Sequence, residues 1–214
     1  MRIGVLGTGE VGSRLGTKLV SLGHEVKMGS RTAKNPKAVG WAKESGAKAS
    51  AGTFAEAAKH GEVVFNCTAG SASLEALEQA GASNLRGKVL IDVSNPLDFS
   101  KGMPPSLVVC NTDSLAEQIQ RGFPDAKVVK ALNTTSNPVM VNPGLLRGEH
   151  DVFLCGNDPQ AKAKVAEILR SFGWKSPVDL GDITAARGLE MMLPLWVRLM
   201  VTFQNPIFNF KIVR

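Results

Sequence analysis

The stretch that most constrains this chain lies at its start: Met1-Arg2-Ile3-Gly4-Val5-Leu6-Gly7-Thr8-Gly9-Glu10-Val11-Gly12. Ile3, Val5 and Leu6 form a short apolar run that reads as a buried strand. Gly7, Gly9 and Gly12 then turn the chain sharply into a helix, giving the pattern G-x-G-x-x-G. In such a turn the first glycine permits the tight bend. The second lets a pyrophosphate approach the backbone, and the third lets helix and strand pack closely. The helix N-terminus adds free N–H groups and a partial positive charge, which suit a phosphate. A strand before and an amphipathic helix after place the pattern in a dinucleotide-binding context.

The rest of the composition narrows the class. A chain of 214 residues can bury a substantial core as one domain, or one domain with a small appendage. Residue 2 is charged and the first apolar run ends in glycines, so no cleavable signal is read there. The longest apolar stretch, Leu189 to Phe203, is broken by Glu190, Pro194 and Arg198 and reads as a buried helix, with no membrane span expected. Cys67, Cys110 and Cys155 show no metal-ligand spacing and read as small buried residues in a reducing cytoplasm. The net charge is +6, but the basic residues are scattered, without a Lys/Arg run or interleaved aromatics. That pattern argues against nucleic acid and suits a polyanionic small molecule.

Val11, Leu15, Leu19 and Leu22 recur at helical spacing, and Gly23 is placed to end that helix. The second strand, Glu25 to Gly29, runs into Ser30-Arg31-Thr32-Ala33-Lys34. In an NAD-binding fold an acid at this strand end grips the ribose hydroxyls. Here Ser30 and Arg31 stand in its place, with Lys34 close behind. A hydroxyl and a guanidinium can bind a 2′-phosphate that a carboxylate would repel, so the residues favour NADPH over NADH.

Strands and helices then alternate. Pro36 to Ser45 reads as a helix with Val39, Trp41 and Ala42 on one side; Thr53 and Glu56 form a capping box before the next helix. The central strand Val63 to Cys67 empties into Thr68-Ala69-Gly70-Ser71, small residues that leave room for a cofactor at the sheet edge. Val89 to Val93 stops at Ser94-Asn95-Pro96, and Val128 to Leu132 ends in Asn133-Thr134-Thr135-Ser136. The segment Phe99 to Asn111 reads as a surface wrap without regular structure. Later strands fall near 151–155 and 178–180, and Asp182 caps a closing helix from Ile183 to about Phe203. The expected architecture is α/β, a Rossmann-type doubly wound and mainly parallel sheet with a small C-terminal helical segment. Residues 1–140 would form the NADP-binding domain. Residues 141–214 would pack on the sheet and on a second subunit, because the last helix is apolar on several sides.

With these landmarks placed, the chain resembles the NADPH oxidoreductases dependent on coenzyme F420, a deazaflavin, and the related cytosolic NADPH domains of six-transmembrane metalloreductases. The resemblance rests on Gly7 to Gly12, Leu22-Gly23-His24-Glu25, Gly29-Ser30-Arg31, Lys130-Ala131-Leu132-Asn133-Thr134, and Val178 to Asp182 with Ala186-Arg187 and Glu190. It implies that Thr8 to Val11 hold the pyrophosphate, with Ser30, Arg31 and Lys34 on the 2′-phosphate. Thr68, Ala69, Ser94 and Asn95 would flank the riboses. It further implies a hydride passed between nicotinamide and a stacked deazaflavin or flavin, in a homodimer closed by the C-terminal segment. The departures fall on the acceptor side: Asn133 stands where these enzymes commonly carry a histidine, the turn at Thr68 is less bulky, and Thr184 is followed by Ala185 and Ala186.

Hydride transfer between two ring systems needs alignment and exclusion of water, with no protein nucleophile. No triad, metal cluster or carboxylate pair is legible in the order of the residues. Asn133 and Thr134 are the candidates to orient the nicotinamide; His24, His60 and His150 are isolated and read as surface or packing residues. Two other readings stand beside this one. A 3-hydroxy acid or imine dehydrogenase opens with a similar fingerprint but normally appends a large helical substrate domain with a catalytic lysine or other polar group, and the last helix here has no lysine. A non-catalytic NADPH sensor would use the same turns without turnover.

Overall fold

A computed structural model describes residues 1–214. The chain alternates β1 (Arg2–Leu6), α1 (Glu10–Ser21), β2 (Glu25–Ser30), α2 (Pro36–Ser45), β3 (Ala49–Thr53), α3 (Phe54–His60) and β4 (Val63–Asn66). It continues through α4 (Ser73–Ala80), α5 (Ala82–Leu85), β5 (Val89–Asp92), the short strands β6 (Leu97–Asp98) and β7 (Ser106–Leu107), α6 (Leu115–Gly122) and β8 (Lys127–Ala131). Then follow α7 (Asn137–Val141), β9 (Phe153–Gly156), α8 (Pro159–Phe172), β10 (Val178–Asp179) and α9 (Ala186–Phe203).

Eight strands form one sheet in the order β10-β9-β8-β5-β4-β1-β2-β3. From β3 across to β8 all neighbours run parallel; β9 lies antiparallel to β8, and β10 runs parallel to β9, so these two edge strands oppose the rest. The strand order reverses at β1, between β2 and β4. In open α/β sheets the crevice beyond the carboxyl ends at such a switch point receives the ligand.

Strand side chains alternate between two cores, as period-2 geometry requires. Ile3, Val5, Val63 and Phe65 pack with Leu15 and Leu19 of α1, Trp41 of α2, and Val165 and Leu169 of α8. Leu6, Val64 and Leu90 face the other way, onto Ala57, Leu77, Ile119 and the start of α9. Local caps set where helices begin. Thr53 Oγ1 accepts from Glu56 N while Glu56 accepts from Thr53 N, completing the capping box, an arrangement worth about 1 kcal/mol. Ser114 and Asp158 cap α6 and α8 by accepting from the backbone N–H of Glu117 and Ala161.

Several sequence expectations are corrected. In α2 the inward residues are Ala38 and Trp41, and Val39 is exposed; Trp41 sits against Gly16, where an added Cβ would lie 2.7 Å from the indole, and its Nε1 donates to Thr17 Oγ1. The segment after Pro96 is not structureless, because β6 and β7 pair as a two-stranded antiparallel ribbon. Cys155 is buried, but Cys67 is half-buried and Cys110 exposed. Residues 141–214 do more than lie on the sheet: they supply β9 and β10 at its edge. Helix α9 buries a single stripe, Leu189, Glu190, Leu193 and Val197, and leaves Leu195, Val201 and Phe203 more than half exposed.

Candidate functional site

The site is built on the turn from β1 to α1. Gly7 has φ +116°, and a Cβ there would sit 2.6 Å from the Cys67 carbonyl oxygen. A Cβ on Gly12 would sit 2.2 Å from the Gly7 carbonyl oxygen, so the helix can start this close to the strand only with glycine there. Gly9 differs: nothing lies within 4 Å of its Cβ position, so the backbone at Gly9 faces open space. That is the cradle a pyrophosphate would fill.

Two cavities meet over the turn after β4. One, of about 290 Å³, is lined by Gly7, Thr8, Gly9, Ser30, Arg31, Thr68 and Ala69, with Asn35, Phe54 and Gln79 further out. The other, of about 270 Å³, is lined by Val11, Ser94 and Asn95, with Leu97 and Phe99 at its rim; Cys67, Thr68 and Ala69 belong to both. The turns after β4 and β5 touch at Gly70, where a Cβ would lie 2.0 Å from the Asn95 carbonyl oxygen. Together the cavities describe an elongated trough across the switch point.

Of the residues expected to bind cofactor, Gly7, Thr8, Gly9, Ser30, Arg31, Thr68 and Ala69 line the first cavity; Val11, Thr68, Ala69, Ser94 and Asn95 line the second. Arg31 is exposed and forms no ion pair within the chain, whereas the Ser30 hydroxyl donates to the Thr32 carbonyl at 2.6 Å. Lys34 and Glu10 line neither cavity; Glu10 Oε2 accepts from Asn137 Nδ2 at 3.4 Å. Gly12 is buried in packing. Asn133 and Thr134 are each 3% exposed and lie below the trough. Both amide hydrogens of Asn133 are engaged, one with Asn95 Oδ1 at 2.9 Å and one with the Leu189 carbonyl at 3.0 Å. Asn133 therefore ties the β8 turn to Asn95 and to α9. Thr134 makes no side-chain hydrogen bond within the chain.

Beneath the trough lies a polar core that the order of the residues does not reveal. Lys130 is completely buried, and its ammonium donates to Asp92 Oδ2 at 2.8 Å and to the Ser94 carbonyl at 2.5 Å, and pairs with Glu190 Oε1 at 2.8 Å. Burial opposes the charge, yet Asp92 and Glu190 hold the ammonium above the ordinary lysine range. The second carboxylate is compensated by the N-terminus of α6, where Leu115 N and Ala116 N donate to Glu190 at 2.8 and 3.1 Å. Asp92 Oδ1 accepts from Asn66 Nδ2, and Asn66 Oδ1 accepts from the Thr68 hydroxyl at 2.7 Å. Asp92 and Glu190 thus close on one lysine. Removing one member of such a buried set costs about 3–5 kcal/mol, because the others are left uncompensated. The sequence signal was a lone charge within each of three apolar runs. Arg187 reinforces the junction with a forked pair to Glu117, and that guanidinium holds the Glu117 carboxyl below its usual range.

Cys67 stands at the trough wall, but burial, with Asp92 adding to it, raises its thiol far above the usual range. The histidines lie elsewhere. His150 hydrogen-bonds the Pro143 carbonyl and Asn209 and packs edge-on against Trp174, a structural role.

A glycine-turned parallel sheet, an open backbone cradle and an unpaired guanidinium just after the second strand are the features of a dinucleotide-binding fold. Comparison with known proteins specifies the class. Residues 2–96 match the family described as NADP oxidoreductase, coenzyme F420-dependent. A crystal structure from Arthrobacter sp. FB24, provisionally assigned as an F420-dependent NADP reductase, is 51% identical, with each chain covered completely and a TM-score of 0.96. The F420-dependent NADP reductase of Methanothermobacter marburgensis is 29% identical over 98% of this chain and 96% of its own length. Metalloreductase STEAP3 of Rattus norvegicus is 34% identical over 91% of this chain, which spans only 38% of that relative. The chain belongs to the F420-dependent NADP oxidoreductase family, a family of NADP-dependent oxidoreductases. None of its helices is long and apolar enough to cross a membrane.

Proposed function

We propose that this protein transfers a hydride between NADP(H) and a deazaflavin or flavin-type acceptor. The observation that carries the reading is the trough itself: the open backbone at Gly9 lines the cavity containing Arg31, and that cavity joins the one containing Ser94 and Asn95 through Cys67, Thr68 and Ala69. A dinucleotide laid across it places its pyrophosphate at Gly9, its 2′-phosphate at Arg31 and its nicotinamide beside Asn95. NADP(H) supplies or accepts the hydride when bound. The chain's residues orient the ring and keep water from the gap, which asks for no nucleophile. Arg31 selects the phosphorylated cofactor, and Thr8 to Val11 hold the pyrophosphate. The rim of the second cavity, Leu97 and Phe99, offers the apolar surface on which a flat acceptor ring would lie.

The F420-dependent names of its relatives support the deazaflavin. The exposed apolar face of α9 supports a homodimer in which a second copy covers it. Three free cysteines suit a cytoplasmic setting.

Anaerobic mixing with NADPH and, separately, F420, FMN, FAD or a ferric chelate tests the proposal. Rapid NADPH oxidation with F420 or a flavin supports it. Oxidation with ferric chelate alone moves the acceptor to a metal ion, and tight NADPH binding without turnover in any mixture refutes hydride transfer.

A further inference from the structure

We propose that Lys130 is a positioning residue for the nicotinamide end of the trough, acting through the Ser94–Asn95 turn and without touching the cofactor. This rests on the dinucleotide reading above. Lys130 is fully buried, so it meets neither cofactor nor acceptor directly. All three of its N–H directions are nevertheless taken, and one of them grips the main chain at Ser94, a residue of the second cavity's wall.

The grip is passed onward. Ser94 donates its hydroxyl and its N–H to Asp92 Oδ1, the other oxygen of the carboxylate that holds Lys130. The next residue, Asn95, donates to the Asn133 carbonyl at 3.1 Å and accepts from Asn133 Nδ2 at 2.9 Å. Ser94 and Asn95 are thereby fixed from below by Lys130 and from the side by the β8 turn. Glu190 and the Leu189 carbonyl extend the same fixation to α9. By contrast, the adenosine-end cavity leans on Gly7 to Gly9, Ser30, Arg31 and Phe54, none of which bonds any member of the lysine cluster. Of the three residues common to both cavities, Thr68 is joined by its side chain through Asn66 to Asp92. The physical consequence is a split: loss of the ammonium disturbs the nicotinamide half and leaves the adenosine half in place.

The test compares two ligands on one protein. In Lys130→Met with Asp92→Asn the ammonium and one carboxylate go together, so the buried net charge stays at −1. Glu190 keeps its two helix N–H donors, and the amide oxygen introduced in place of the Asp92 carboxylate can still accept from Asn66 and Ser94. The full chain and this double variant are titrated calorimetrically with NADPH and with adenosine 2′,5′-bisphosphate, which lacks the nicotinamide half. The expected result is a Kd for NADPH weakened about tenfold or more, with the bisphosphate within about twofold of wild type, since loss of a single hydrogen bond at the nicotinamide end is enough for a change of that size. Equal weakening of both ligands would show a merely structural role and overturn the proposal; no change in either would overturn it as well. If the double variant does not fold, as read by near-ultraviolet circular dichroism, Asn95→Ala cuts the same link further on. It carries the same expected split, and unchanged NADPH affinity there refutes the proposal. A wild-type chain that binds neither ligand removes the cofactor reading itself, and this inference with it.

Discussion

Arg31→Ala is the perturbation that most cleanly separates an NADPH site from a generic dinucleotide site. Arg31 follows β2 directly, is exposed, and has no carboxylate partner in the chain, so its guanidinium is available to a 2′-phosphate without breaking anything first. Ser30 beside it is different, because its one proton already goes to the Thr32 carbonyl and a phosphate oxygen has none to give. The guanidinium therefore carries most of the selection. Hydrogen bonds to charged groups contribute about 1.5–3 kcal/mol, which is roughly 10- to 150-fold in Kd. Solvent and salt at an exposed corner bring the expectation to the lower end, about 10- to 30-fold at physiological ionic strength. The assay is calorimetric titration of wild type and variant with NADPH and NADH. NADPH should weaken by that factor and NADH by less than about twofold, and raising the salt should shrink the gap between wild type and variant. Ser30→Ala should cost NADPH less than about threefold. Equal weakening of both nucleotides by Arg31→Ala would refute the reasoning.

Other outcomes follow from single contacts. Gly9→Val should abolish measurable binding of either nucleotide while leaving the thermal midpoint nearly unchanged, because the Cβ position at Gly9 is empty space in the folded chain; undiminished NADPH titration would contradict the cradle. Brief alkylation of the native protein, followed by mass spectrometry, should modify Cys110 first. Cys67, half-buried at the trough wall with its thiol raised by burial and by Asp92, should react more slowly, and Cys155, whose thiol burial pushes up to about 12, only after unfolding. The Asp113 carboxyl, held down to about 2 chiefly by its hydrogen bonds from Arg121, should titrate there by NMR and return toward the ordinary 3.8 in Arg121→Ala. A folded-state value below the unfolded one means that this pair's contribution is complete above about pH 4 and lost as pH falls through about 2. Arg121→Ala should then lower stability near neutrality and make no difference at the acid extreme.

What could be read from the order of residues is local in origin. The glycine turn, the Thr53–Glu56 box, the Ser114 and Asp158 caps and the alternation of apolar strands each involve residues within a few positions, so spacing alone displays them. Arg31 was legible for the same reason, because it follows a recognisable strand. The lysine cluster was not: Lys130, Asp92 and Glu190 come from β8, β5 and α9, and only the pairing of β8 with β5 and the docking of α9 on the start of α6 bring them together. A charge in the middle of Val128-Val129-Lys130-Ala131 was the visible oddity, and without partners it carried no chemistry. Asn133 shows the opposite difficulty. Its position after a strand suggested the nicotinamide, but its amide hydrogens are held by Asn95 and Leu189, the latter far along the chain. The antiparallel turn of β9 was likewise invisible, because an apolar run does not carry its direction.

The central claim is that the trough over Gly9 holds the phosphorylated pyridine nucleotide in preference to the plain one. Calorimetric titration of the unmodified full chain with NADPH and NADH measures it directly. The account predicts saturable binding of both, with NADPH tighter by about tenfold or more. Heat from neither nucleotide, or tighter binding of NADH, would contradict it.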